Sequence, residues 1–285
     1  MEEQEENQRI KLVPETFKFP ELYKLSGKEA EERLKEYSKK IKHYDKRARG
    51  ILDIFSLRNN ELCGSNPFAN VLLASEDIAL PSELEQAVRI NPDYFSNTYE
   101  DIALILRTAG DSYQDNDYVA KHLAEQLKKR KVKLPARISL RGLSLKKDNN
   151  SAYGLVFKLE ENTEILHVPD FTHRNNGKRF FKTDERGIPI FEKEGDRYFH
   201  TRKDGLSRLY LGGGLYLGSY GESLADSSVG GRVVIVSGEA ADFDFAQKLK
   251  EEQKANVEAL KLRAKEEYNI KAQRILALAK ELKLE

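Results

Sequence analysis

The sequence predicts an α+β protein of 285 residues in three parts. These are a helical N-terminal region with a long heptad-patterned helix, an antiparallel β-rich domain and a long C-terminal helix. Three observations predict it. Apolar residues between 30 and 55 recur in alternating steps of four and three, the seam of a heptad helix. Between 136 and 238 the period changes to two, with turn residues at about ten-residue spacing. From 242 to 284 there is neither glycine nor proline, so nothing breaks a helix.

Residues 1–25 read as an extended arm, acidic at its start and carrying Pro14, Pro20, Phe17, Phe19 and Tyr23. A helical region is expected over 26–135. Ser26 and Glu29 have capping-box spacing. The seam then runs Ala30, Leu34, Tyr37, Ile41, Tyr44, Ala48, Ile51, Phe55, which predicts one helix over 27–57 with coiled-coil character. Asn66-Pro67 is a cap followed by proline at the first helical position. Further helices are expected over 82–90, 98–107 and 115–131.

After Pro135 the pattern reads as strands. Ile138 and Leu140 alternate, Leu143 and Leu145 alternate in the opposite phase, and Gly142 between them suggests a bulge. Tyr153 to Leu159 alternate again. Shorter strands follow at 164–168, 178–183, 188–191, 197–202, 208–211, 215–220 and 231–237, separated by Gly, Asn and Asp turns. The glycine-rich run 211–218 matches neither phosphate-loop pattern and reads as a hairpin turn whose glycines supply positive φ. The helix at 242–285 is expected to pack on the N-terminal helix or on a partner.

Composition bounds the function. Apolar residues make up 39% and charged residues 33%, enough for a core beneath an ionic surface. The single cysteine excludes an internal disulfide. No apolar run reaches membrane-spanning length and the acidic start is not a secretory signal, so a cytoplasmic protein with no membrane association is expected.

Net charge is +1, but its distribution is uneven. Residues 33–49 carry eight cations against two acids, 76–118 ten acids against two arginines, and 121–147 ten cations against Glu125. If the acidic helices pack beside the basic segment, the fields cancel. If the basic segment lies open, it tracks a phosphate backbone. Lys129, Arg130 and Lys131 are then the expected phosphate contacts.

A second zone, 171–208, mixes cations with aromatics. Arg179, Arg197 and Arg202 are candidate phosphate contacts, and Phe181 or Tyr198 candidate base-stacking rings. In a strand, Phe180 and Phe181 face opposite ways, as do Tyr198 and Phe199, so one of each pair belongs to the core. His167, Asp170 and His173 stand three apart and with His200 offer a candidate metal set.

The segments Gly205–Leu211 (GLSRLYL) and 230–236 (GGRVVIV), with NTYEDIALILR at 97–107 and NDYVAKHLAEQLKKR at 116–130, resemble a group of archaeal hypothetical proteins over about residues 66–238. The resemblance implies a cytoplasmic origin and no particular chemistry. The residues therefore predict a non-enzymatic binding or scaffold protein with nucleic acid or a protein as partner, and no cofactor. The alternatives are a metal-dependent hydrolase, nucleases included, built on the His/Asp set, and an oligomeric component associating through its long helices.

Overall fold

The computed structural model describes residues 21–237, apart from 111, 114, 174–176, 221 and 222, together with Lys265 and Tyr268. The arm expected at 1–25 lies outside the described residues up to residue 20. So does the helix expected at 242–285, except for Lys265 and Tyr268, which are helical. Pro20–Ala240 is one compact unit.

Within it the chain forms, among the described residues, fifteen strands and five short α-helices. The first half contains β1 (Glu21–Lys24), α1 (Gly27–Ile41), α2 (Lys46–Leu52), β2 (Ser56–Arg58), β3 (Glu61–Cys63), α3 (Pro67–Ala74), α4 (Pro81–Ile90), a 3-10 turn (Pro92–Phe95), β4 (Tyr99–Leu106) and α5 (Asn116–Lys129). The second half contains β5 (Ala136–Ser139), β6 (Leu143–Lys147), β7 (Leu155–Leu159), β8 (Ile165–His167), β9 (Lys178–Thr183), β10 (Pro189–Phe191), β11 (Arg197–Thr201), β12 (Leu206–Leu211), β13 (Leu217–Ser219), β14 (Gly231–Arg232) and β15 (Val234–Ser237).

This overturns the expected division into a helical half and a β half. The fold is strand-rich and built on one nine-stranded sheet, ordered β10-β9-β11-β13-β12-β4-β5-β8, with β14 beside β4. The sheet is mixed rather than antiparallel, because β11 runs parallel to β13 and β14 parallel to β4. The decisive element is β4, where a helix was expected. Its run Ile102–Leu106 is buried on both faces, Leu104 and Leu106 in one core and Ile102 and Ile105 in another. A strand covered on both sides has no reason to alternate, so its apolar run looks helical in sequence.

The heptad seam at 30–55 is not a coiled coil. It is cut into α1 and α2 by a turn at 42–45, where the Asp45 carboxylate accepts the Ala48 N–H at 2.8 Å and starts a new helix. The Tyr37 hydroxyl donates to the Leu52 carbonyl at 2.6 Å and ties the two pieces together. Ala30, Tyr37, Ile41, Ala48 and Leu52 enter the same core as Phe68 of α3. The apolar stripe thus faces the protein's own interior rather than another long helix. Nor does the Ser26 side chain cap α1; Glu29 instead accepts from the Tyr23 hydroxyl at 3.0 Å and the Arg33 guanidinium at 3.0 Å. Asn66 does cap α3, accepting the Ala69 N–H at 2.8 Å.

The phase flip at Gly142 marks a change of sheet rather than a bulge. β5 belongs to the large sheet, while β6 pairs with β7 in a separate hairpin. Gly142 has φ +76°, and a Cβ there would lie 2.8 Å from the Asn162 side chain, so only glycine makes this turn. Helices α1–α3 and α5 and the β6–β7 hairpin supply the core on one side of the central strands. Leu84 and Val88 of α4 and Phe95 meet the other face with Phe180, Phe199, Leu209 and Leu217. No helix among the described residues is long and apolar enough to cross a membrane.

Candidate functional site

Strands β9 and β11 bury one face and leave the other partly exposed, while the neighbouring β13 and β12 are buried along their whole length. Alternation decides which side chain goes where. Phe180, Phe199, Leu211 and Leu217 point into the core. Their neighbours Arg179, Phe181, Tyr198, His200 and Tyr210 point the other way. Strand register then aligns them. Arg179 lies opposite Tyr198, His200 and Tyr210 both lie opposite Gly218, and Tyr210 also lies opposite Asp101.

The result is a row of rings running across the sheet. Arg179 sits 4.7 Å over the Tyr198 ring. Tyr198 stacks on His200 at 5.8 Å, and His200 meets Tyr216 at 5.7 Å and Tyr220 at 6.1 Å. Tyr210 meets Tyr216 at 6.0 Å and Tyr99 at 6.0 Å. The Tyr210 hydroxyl donates to that of Tyr220 at 2.9 Å.

The glycines of 211–218 make this row possible. The turn itself forms as expected, the Gly212 N–H donating to the Tyr216 carbonyl at 2.8 Å. Yet the residue at positive φ in it is Leu215, at +60°. The glycines serve close approach instead. A Cβ on Gly212 would lie 2.4 Å from the Tyr216 ring, and one on Gly218 would lie 2.4 Å from the Tyr210 ring. Each tyrosine lies flat across a backbone that has no side chain.

At the β4 end the row opens into a cleft of about 690 Å³ walled by Tyr99, Arg208, Tyr210, Tyr216 and Tyr220. Its floor is polar and buried. Arg208 pairs with Asp101 at 2.7 Å and lies 5.2 Å from the Tyr99 and Tyr210 rings. The Ser65 hydroxyl donates to Asp101 at 2.6 Å and accepts from the Asn70 amide at 2.9 Å. Burial pushes the Asp101 carboxyl up, while Arg208 and Ser65 hold it down. Ser65 thus spends its proton on Asp101, and the network positions Arg208 between two rings rather than activating a nucleophile.

Next to Asp101, Glu100 points to the opposite face. Burial raises its carboxyl to about 7, against the Thr98 hydroxyl and the Lys24 and Arg232 cations. The folded protein therefore holds a proton on Glu100 that the unfolded chain releases near the ordinary 4.5. Stability from this group is present at low pH and is lost as pH rises from about 4.5 to 7. Glu100→Gln is expected to flatten that decline, worth roughly 3 kcal/mol, in urea melts between pH 5 and 8. An unchanged pH slope would show that Glu100 is ionised throughout.

Four of the sequence-predicted residues, Arg179, Phe181, Tyr198 and His200, share this face, His200 as a ring rather than a metal ligand. Arg197 is elsewhere. It is buried, paired bidentately with Glu85 at 2.5 and 2.9 Å, and lies 4.5 Å over the Phe180 ring. Its donors are committed inside the fold, which corrects its expected role at phosphates. Arg202 follows β11 and stands near buried Arg107, whose guanidinium burial and the Arg202 cation push down to about 9. Lys129, Arg130 and Lys131 are exposed at the end of α5, with Arg130 donating to the Leu159 and Glu160 carbonyls at 2.8 and 2.9 Å.

The His/Asp set is not assembled. Among the described residues no group of three or more His, Cys, Asp or Glu side chains is placed to hold a metal. His173 packs edge-on against Phe191 and Phe199 on the core side, while His200 belongs to the open row. His167 meets the Pro135 carbonyl, and Asp170 is exposed. Alternation along β11 sends Phe199 and His200 to opposite faces, which separates the two histidines.

Sequence reasoning missed Tyr99, Arg208, Tyr210, Tyr216 and Tyr220. A signal was present: Tyr210 and Tyr216 each stand between two leucines, an alternation that sends the rings to the face opposite the leucines.

The fold and site define a mixed-sheet protein with a row of rings, partly cationic and partly exposed, across one face. In comparisons with protein-family models, curated protein sequences and solved structures, the chain matches none of them.

Proposed function

We propose that the protein is a binding module for single-stranded nucleic acid, with bases stacking on the open aromatic face. The observation that carries this reading is the row from Arg179 through Tyr198, His200 and Tyr216 to Tyr210 and Tyr99, with Phe181 exposed on the same face of β9. Five neighbouring strands span roughly 19 Å at the usual strand spacing. Phe181 is 60% exposed and Tyr220, beside His200 and Tyr210, is exposed too, while Tyr198 and His200 are half-buried and Tyr210 is buried. Base stacking on such rings is tolerant of sequence, because every base has a π face. Exposed Arg179, on the ring face of β9, supplies charge for the phosphates.

Fluorescence anisotropy with labelled DNA and RNA single strands tests it. Affinity is expected to fall steeply between about 50 and 200 mM salt, as each neutralised phosphate releases counterions. Joint replacement of Lys129, Arg130 and Lys131 by alanine shows in the same assay whether the strand also reaches the end of α5. No binding of any single strand at the lower salt overturns the reading.

A further inference from the structure

The basic window at 33–49 plays no part in the aromatic face. The turn between α1 and α2 gathers it into a corner, where Lys39, Lys40, Lys42, Lys46, Arg47 and Arg49 are all exposed. The β6–β7 hairpin adds to the same corner. The Lys147 ammonium donates to the His43 carbonyl at 2.6 Å and lies 5.3 Å over the Tyr44 ring. Arg47 reaches the Asn149 carbonyl at 3.4 Å, and Lys146, next to Lys147 in β6, is exposed as well. Two cationic stretches about a hundred residues apart in sequence thus form one surface.

Three acids stand within it: Glu36 is exposed on α1 one turn before Lys40, and the other two are occupied. Asp45 caps α2, and Asp148 accepts from the Tyr118 hydroxyl at 3.2 Å and the Asn150 N–H at 2.9 Å. None of the corner cations is in an ion pair among the described residues. Elsewhere the chain pairs its arginines, with Arg137 on Glu164, Arg141 on Glu83, Arg197 on Glu85 and Arg208 on Asp101. Crowded, unpaired like charges raise the local potential and cost stability, a cost that a polyanion relieves. No large apolar side chain is exposed among these cations, and the Tyr44 ring lies under the Lys147 ammonium, so the corner offers no anchor for a bilayer. It reads charge alone, and a duplex presents charge most densely, one per about 1.7 Å of axis.

We propose that the α1–α2 corner and the β6–β7 hairpin bind the phosphate backbone of a nucleic-acid duplex, as a surface separate from the aromatic face.

The test is anisotropy of the full chain with a blunt duplex and with the matching single strand. The corner variant is Lys42→Gln, Lys46→Gln and Lys146→Gln combined, which removes charge and no side-chain contact. It is expected to weaken duplex binding about tenfold or more and to lower the salt slope by about 3. Its melting temperature and its single-strand affinity should stay within error of the unchanged protein. Duplex binding that survives the triple variant overturns the proposal, and so does an unchanged protein that ignores duplex at low salt. Binding to phosphatidylserine vesicles that duplex cannot displace would overturn it in favour of a membrane surface. Failure of the aromatic-face reading shows separately, as single-strand binding that ignores removal of the rings.

Discussion

Glu85→Ala is expected to destabilise the protein by about 3–5 kcal/mol, because it strands the Arg197 guanidinium in the core. Glu85 and Arg197 are 1% and 9% exposed and share two hydrogen bonds, at 2.5 and 2.9 Å. Arg197 also donates to the Leu215 carbonyl at 2.6 Å. The pair therefore ties α4 to β11 and to the turn that seats Tyr216. For a unit of this size the loss corresponds to a fall of roughly 6–20 °C in melting temperature. Adding Arg197→Met removes the orphaned charge and should restore much of that loss, since a buried ion pair replaced by apolar side chains is close to neutral. Calorimetry of the two single variants and the double variant closes the cycle. If Arg197→Met instead lowers nucleic-acid affinity while leaving the melting temperature untouched, Arg197 is a phosphate contact after all.

Phe181→Ala together with Tyr198→Ala is expected to weaken single-strand binding far more than it weakens the fold. Stacking on one ring is worth about 1–3 kcal/mol per base, so each substitution should cost roughly 5- to 150-fold in affinity. Phe181 is exposed and Tyr198 half-buried on the open face, so little core packing goes with them. The loss should appear as a shift of the whole binding curve with the salt slope unchanged, because rings release no counterions. Arg179 loses its ring partner in Tyr198→Ala and provides a third site to vary. A double variant that binds single strands as tightly as the unchanged protein would remove the aromatic face from the account.

Much of the secondary structure was legible in the sequence. Strands from β5 to β15 fall where period two and turn residues place them, and α5 follows its apolar face of Val119, Leu123 and Leu127. The open face was half legible. Alternation alone says that one ring of Phe180/Phe181 and one of Tyr198/Phe199 is core, and Phe180 and Phe199 are the buried members. What was not legible is which strands stand side by side. Tyr99, Tyr198, Tyr210 and Tyr216 lie as much as 117 positions apart, and only the order β11-β13-β12-β4 lines them up.

The sequence by itself determined the local periods, the cap at Asn66, the hairpin at 211–218 and the uneven charge, because each depends on residues a few positions apart. Tertiary structure decided the rest. Burial on both faces made a strand of 99–106, since the run matches a helix until both sides are covered. The core around Phe68 claimed the stripe at 30–55 and cut it in two, since burying Ala48 and Leu52 required α2 to turn. Long-range pairing also decided which cations are free. Arg197 and Arg141 found carboxylates on α4, while Lys42, Lys46 and Lys146 found none among the described residues and face outward together. A charge count along the chain cannot separate these cases, because pairing is a matter of distances of a few ångströms that only the folded chain sets.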